Sequence, residues 1–329
     1  VPQVRRRLRE LAAELVVVTG GYAGLPAGLA ARSLGLPLAL QEQNAVPGLT
    51  TRLLAAHAAQ IHLAYPEAAD RLRPDARARV QLNGNPITPP DARDRRAARA
   101  RLGLDPDRPV LLVVGGSQGS AALNAAVLGW LERHEGQPRL SVAAASNSAS
   151  AEPHAPSQHE ALRVQLLWST GPAHVEALRE RLARDFPVAP DVHLYGFIDA
   201  MSDALAASDL ALSRAGAMAT SEFLAWGTAS ILVPLPTAAA DHQTSNAQAL
   251  AEAGAARHVQ ESQLDGARIE AELTHLLGAP ETLATMQAAA RERGQPEAST
   301  RIATALAQLL GDALRQPATR SQSTAAAAA

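Results

Sequence analysis

Three times in this chain a short apolar run stops at glycine and passes into helical sequence. LVVVT meets Gly20-Gly21-Tyr22-Ala23-Gly24, PVLLVV meets Gly115-Gly116-Ser117-Gln118-Gly119-Ser120, and LALS passes Arg214 into Gly216. No other feature restricts the possible folds so strongly. A short apolar run between breakers reads as a strand buried on both faces, and the helix that follows must carry the chain back across the sheet before the next parallel strand. The expectation is an α/β chain of two Rossmann-like domains. A length of 329 residues agrees, since domains run to about 100–200 residues each. Gly84-Asn85-Pro86 followed by Thr88-Pro89-Pro90-Asp91 marks the boundary. The expected division is residues 1–88, residues 89–315, whose last helix can pack back on the first domain, and a disordered low-complexity tail over 316–329; the Ala-, Ser- and Pro-rich stretch from Ser141 to His159 is expected to be a surface loop or disordered insertion.

In parallel sheets of this kind, ligands gather at the carboxyl ends of strands. The stretch from Leu210 to Asn246 is the richest in that respect. A strand ends at Arg214, Gly216 permits the bend into a helix, and Gly227 suits its C-terminal cap. The first amides of that helix, around Ala217, Met218 and Ala219, lack partners inside it and sit at the positive end of its dipole, where a phosphate finds donors. Glu222, one to two turns on, can accept from a vicinal diol. The next strand closes at Pro234 and Pro236, and Asp241 is expected to cap a helix with His242 and Gln243 in its first turn. The pattern reads as a seat for a nucleotide diphosphate attached to something rich in hydroxyls. Strand, glycine and helix also form the ordinary joint of any doubly wound fold, so each turn alone is ambiguous.

Composition excludes several other chemistries. No lysine occurs, which removes Schiff-base catalysis and a P-loop lysine, and no cysteine occurs, which removes disulfides, thiolate zinc sites and a thiol nucleophile. The ten histidines include no H-x-x-x-H pair, so neither metal nor cofactor is expected. A net charge of −2 gives no field for nucleic acid. Arg5, Arg6, Arg7 and Arg9 read as a solvated helix face. No apolar run reaches the ~20 residues that span a bilayer, and no signal peptide is evident, so a soluble cytoplasmic chain is expected. One rival remains. Gly115-Gly116-Ser117-Gln118-Gly119 satisfies G-x-S-x-G between a strand and a helix, and Ser117, Asp209 or Asp241, and His242 follow the hydrolase order. Against it, Asp241 and His242 are adjacent, and Asp209 precedes its strand and so belongs at the wrong end.

Several segments together resemble the MurG family: GGYAGLPAGLAARSLGLPLALQEQNAVPGLTTRLLA, GNP, VVGGSQGSAALN, GFIDAMSDALAASDLALSRAGAMATSE and LVPLPTAAADHQTSNAQALAEAGAA. Those enzymes move N-acetylglucosamine from its UDP derivative to undecaprenyl-pyrophosphoryl-MurNAc-pentapeptide, building the lipid-linked disaccharide of peptidoglycan, with inversion at the anomeric carbon. The resemblance implies the glycosyltransferase-B architecture, with the acceptor and membrane side on the first domain and the donor on the second. It also implies residence on the cytoplasmic face of the cell membrane against an anionic surface.

Its site residues carry over one by one. Glu222 would hold the ribose, the main chain of Ile198 would read uracil, and Ser117, Ala217 and Met218 would hold the diphosphate. His242, Gln243 and Asn44 would meet the sugar, and Gly20, Gly21 and Gly24 would lie against the acceptor's diphosphate.

Three departures accompany the resemblance. The resemblance places the family's opening strand and glycine turn, with the histidine that is its candidate base, upstream of Val1, so an incomplete N-terminal domain is expected, with a sugar-nucleotide-binding remnant without turnover as the alternative. Gln41 replaces a histidine before Glu42-Gln43-Asn44, and Thr88 stands where an arginine commonly follows GNP. Glu42 is expected to support its strand end rather than act as the base.

Overall fold

Four parallel strands, β1 (Val16–Val18), β2 (Leu38–Glu42), β3 (Gln60–Leu63) and β4 (Val80–Leu82), form the first sheet in chain order. All five residues of β2 are buried, as a strand flanked on both edges and covered on both faces must be. The helix Gly21–Leu34 packs closely over β1. A Cβ at Gly24 would lie 2.6 Å from Val18 Cγ1, and one at Gly28 would lie 2.3 Å from Leu54 Cδ1. Gly24 is thus a point of close helix–strand approach, a structural reason for glycine that the sequence alone did not reveal. Leu38, Leu40, Leu54, Ile61 and Leu63 are fully or almost fully enclosed in this core, each worth about 1.5–3 kcal/mol of transfer free energy.

The computed structural model describes residues 1–91, 94–143 and 159–315. It divides into two units, one of Val1–Thr88 with the segment from Glu297, the other of Pro89–Pro296. The helix Ala298–Arg315 therefore groups with the first unit. The tie is made by Ser299 Oγ donating to Ile87 O at 2.6 Å and Gln60 Nε2 donating to Ala305 O at 3.1 Å.

The second unit holds β5 (Val110–Val114), a hairpin of β6 (Arg139–Ala143) and β7 (His159–Arg163), then β8 (Gln165–Ser169), β9 (Val192–Tyr195), β10 (Leu210–Ser213), β11 (Ala229–Leu232) and β12 (Ala256–His258). Its main sheet is parallel in the order β12-β11-β10-β5-β8-β9. The chain walks outward from β5 through β8 to β9, returns to lay β10 on the other side of β5, and walks outward again. Strand order reverses between β5 and β10, in the doubly wound pattern that opens a crevice at the carboxyl ends of those two strands. At their amino ends Asp209 accepts from Arg95 Nη1 at 2.5 Å, Arg99 Nη2 at 2.6 Å and the Val110 amide at 2.8 Å. The core between sheet and helices encloses Trp130, Trp168, Leu111, Leu123 and Leu131.

Three sequence expectations need correction. The first glycine turn is shorter than expected: its helix begins at Gly21, with Pro26 inside it. The amide hydrogen bond lost at Pro26 would have ended on Tyr22, in the exposed first turn. The segment expected as a loop from Ser141 to His159 is flanked by the β6–β7 hairpin, with residues 144–158 outside the described ones. Asp241 does not cap the helix His242–Glu252 with its side chain. It stands at the N-cap in a left-handed conformation (φ 52°), and its carboxylate instead accepts from Thr244 Oγ1 at 2.6 Å. The tail 316–329 also lies outside the described residues.

Candidate donor site at the strand-order reversal

The crevice between β5 and β10 holds a cavity of about 630 Å³. One wall is the turn Gly115–Ser120 and the start of the following helix; the other includes Ser213, Arg214, Gly216, Ala219, Leu235, Gln243 and Glu261. The turn is closed by the Gly119 amide donating to Gly116 O at 3.0 Å. It packs without room for a side chain, since a Cβ at Gly119 would fall 2.0 Å from Thr170 O. Ser120 ends the turn as a helix cap, accepting from the Leu123 amide at 3.3 Å. Ser117 is exposed on the cavity wall. Among the described residues no histidine or carboxylate hydrogen-bonds to it, and Asp209 sits at the opposite end of β10. The triad required of a hydrolase is not assembled.

Across the cavity, helix Ala217–Trp226 starts at Gly216 with no side-chain cap. Its front is held by Asn246, whose buried Nδ2 donates to Ala215 O at 3.2 Å, and its far end closes at left-handed Gly227 (φ 67°). Gly216 and Ala219 face the cavity, while Ala217 and Met218 adjoin it without lining it. Glu222 lies three residues beyond Ala219, on the same helix face by spacing, and does not line the cavity. Its carboxyl group is half-buried with no hydrogen-bond or ion-pair partner among the described residues, and burial raises its pKa above the ordinary value. Ile198 is buried at the exit of β9, two strands from β5, and is not a wall residue.

His242 and Gln243 open the next helix. His242 Nδ1 lies 2.7 Å from Ala239 O; because a carbonyl only accepts, this nitrogen carries the proton. Gln243 lines the cavity, and its Oε1 accepts from the Leu235 amide at 3.0 Å. Arg214 shapes the loop that follows β10. Nearly buried, it donates through Nη1 to Val233 O and Pro234 O, each at 3.2 Å, and through Nη2 to Glu261. Glu261 was missed. It lies 47 positions away from its partner, and no local pattern signals it.

In the first unit, Gly20 (φ 87°) and Gly21 (φ 69°) occupy left-handed conformations at the carboxyl end of β1, which suit only glycine readily. The end of β2 is tied down by its own side chains. Glu42 Oε1 accepts from the Asn44 amide at 3.2 Å, and Oε2 accepts from the Gly48 amide at 3.1 Å and Thr51 Oγ1 at 2.6 Å. Asn44 Nδ2 reaches the same carboxylate at 3.4 Å. Glu42 is saturated as an acceptor, the supporting role expected of it. Gln41, at the position where the family has histidine, donates to Gly84 O at 2.8 Å and accepts from Gln43 Nε2 at 3.1 Å. It ties β2 to the Gly84-Asn85-Pro86 turn.

Comparison with known proteins agrees with this architecture. Residues 110–302 match the glycosyltransferase family 28 C-terminal domain, and residues 1–63 match the family 28 N-terminal domain. A UDP-N-acetylglucosamine–N-acetylmuramyl-(pentapeptide) pyrophosphoryl-undecaprenol N-acetylglucosamine transferase of Salinibacter ruber is 41% identical over 292 residues, covering 88% of this chain and 70% of the relative. The enzyme of the same name from Moorella thermoacetica is 37% identical, with 89% and 73% covered. The crystal structure of MurG from Acinetobacter baumannii superposes with a TM-score of 0.68 at 29% identity, covering 93% of this chain and 76% of that one. A UDP co-structure of MnaA from S. aureus, at 14% identity and a TM-score of 0.64 over 94% of this chain and 80% of that one, shares the fold. By these matches the chain belongs to glycosyltransferase family 28 and, within it, to the MurG family.

Proposed function

We propose that this chain transfers N-acetylglucosamine from its UDP derivative to undecaprenyl-pyrophosphoryl-MurNAc-pentapeptide, acting at the cytoplasmic face of the cell membrane without a metal or organic cofactor. The observation that carries the donor half is the cavity between β5 and β10, lined by the Gly115–Ser120 turn on one side and by Gly216 and Ala219 at the front of helix Ala217–Trp226 on the other. A diphosphate suits main-chain donors at a helix front. The unpartnered Glu222 suits the paired hydroxyls of ribose, and Gln243 with His242 suits a hydroxylated sugar. The relatives' names support uridine, N-acetylglucosamine and the lipid-linked acceptor as the particular substrates.

In this reading the acceptor hydroxyl attacks C1 of the sugar from the face opposite UDP. The new C1–O bond forms as the old one breaks, UDP leaves with the bonding pair, and the hydroxyl proton passes to a base. Ser117 and the amides around Ala217 and Met218 stabilise the charge that builds on the departing diphosphate. Ile198 lends its main chain to uracil, and Gly20, Gly21 and Gly24 take the acceptor's diphosphate. The membrane contact in this reading is peripheral; among the described residues no helix is long and apolar enough to cross a bilayer.

Calorimetric titration with UDP-N-acetylglucosamine tests the donor half. Binding is expected, with Glu222→Ala about tenfold or more weaker, a loss of about 1.4 kcal/mol. Equal affinity of the two proteins, or no binding by either, would overturn it. A turnover assay with the lipid acceptor tests the transfer itself.

A further inference from the structure

Beyond the donor-site reading, and resting on it, a line of contacts runs from the loop after β12 to the side chain that faces the sugar. Glu261 opens the short turn Glu261–Gln263 and receives Arg214 Nη2. Arg214 Nη1 holds the carbonyls of Val233 and Pro234. The next residue, Leu235, donates its amide to Gln243 Oε1. Since the Gln243 oxygen is occupied, its two amide N–H groups are what the side chain offers to the cavity it lines. Every link either is buried or lines the cavity, and none belongs to the helix front that faces the diphosphate.

We propose that Glu261 is a positioning residue that gives the donor site its preference for a sugar-bearing nucleotide over the bare nucleoside diphosphate: acting through Arg214, it fixes the Val233–Leu235 segment and thereby aims the Gln243 amide. Arg214 is a cation with little solvent around it, so its place depends on an anion opposite. Without Glu261 the guanidinium turns toward whatever acceptor is nearest, the two carbonyls are released, and Leu235 no longer holds Gln243. The diphosphate and ribose contacts, on Ala217–Glu222 and Ser117, keep their own supports in Asn246 and Ser120.

The test is the ratio of UDP-N-acetylglucosamine to UDP affinity, measured calorimetrically on the full chain. For Glu261→Ala we expect UDP-N-acetylglucosamine to weaken by about tenfold, equivalent to about 1.4 kcal/mol, while UDP stays within about twofold. Retained UDP binding reports that the site is folded. Glu261→Gln, which keeps an oxygen for Arg214, should recover most of the preference. Gln243→Leu should lower the ratio as far as Glu261→Ala, and the double variant should fall no further, because the two act in one line. An unchanged ratio in Glu261→Ala, a loss that glutamine does not recover, or additive losses in the double variant would overturn the proposal while leaving the donor site standing. Failure of the wild-type chain to bind UDP would overturn the donor-site reading, and this proposal with it.

Discussion

The indole N–H of Trp168 donates to Asn124 Oδ1 at 2.9 Å, deep in the second unit. Asn124 Nδ2 passes the connection to Thr170 O, also at 2.9 Å, and Thr170 in turn donates its amide to Tyr195 O at 2.9 Å. One buried amide thus joins the helix behind the Gly115–Ser120 turn to the exits of β8 and β9, the latter leading to Ile198. Asn124→Leu would leave the indole N–H and the Thr170 carbonyl without their partner. The expected result is a loss of about 1–3 kcal/mol in urea unfolding, with weaker UDP binding. Trp168→Phe, which deletes only the donor, should cost less on both counts.

Glu222 couples stability to pH. Burial without a partner raises its pKa, so over a window above the ordinary value of 4.5 the folded state holds a proton that the unfolded state has released. Stability then falls as pH rises through that window, because the native state binds more protons. Glu222→Gln should raise the thermal midpoint at neutral pH, with the gain shrinking as pH falls toward 4.5, while UDP-N-acetylglucosamine binding weakens. A glutamine variant that melts below wild type at neutral pH would contradict this.

His62 has the opposite sign. It is fully buried on β3 opposite Gln41. Asn83 Nδ2 donates to its Nδ1 at 2.9 Å, which places the ring proton on Nε2, a nitrogen with no partner. Burial lowers its pKa below 6.5. The unfolded state therefore takes up a proton first on acidification, and the stability that the neutral ring contributes above pH 6.5 is lost as pH falls through the native pKa. Urea midpoints should drop from pH 7 to pH 5 by more in wild type than in His62→Gln.

Asp209 is a structural anion. Its carboxylate neutralises Arg99, whose side chain is 5% exposed. Asp209→Ala should destabilise the chain by about 3–5 kcal/mol, the usual effect of leaving a buried charge uncompensated. It should not change any esterase activity, and a fluorophosphonate should not label Ser117. Covalent capture at Ser117 would restore the hydrolase reading.

Strands β1, β5 and β10 were legible because each is a run of apolar residues ended by glycine or a charge, and Gly227 announced its helix end. β4 reads VQL and is half-exposed, and β12 reads ARH at a sheet edge, so neither carries an apolar run. The helix Pro280–Arg293 buries only Met286 and Ala290, too few for a periodic stripe. The strand order was out of reach, since β5 pairs with β10 across about a hundred residues of chain and pairing of that kind leaves no local mark. The same reason divides the site. Glycine turns, Glu222 and Gln243 could be picked out from residue type and spacing, whereas the link from Arg214 to Glu261 exists only once β10 and β12 share a sheet.

Helix Ala298–Arg315 closes onto residues that stand more than two hundred positions before it. During synthesis residues 1–88 leave the ribosome before Pro89–Pro296, yet they must wait for this helix, which emerges only after the whole of that unit. The second unit can therefore finish folding while the first is still missing a piece of itself. A stop codon shortly after residue 296 would spare the second unit and leave residues 1–88, made before it, exposed to proteases.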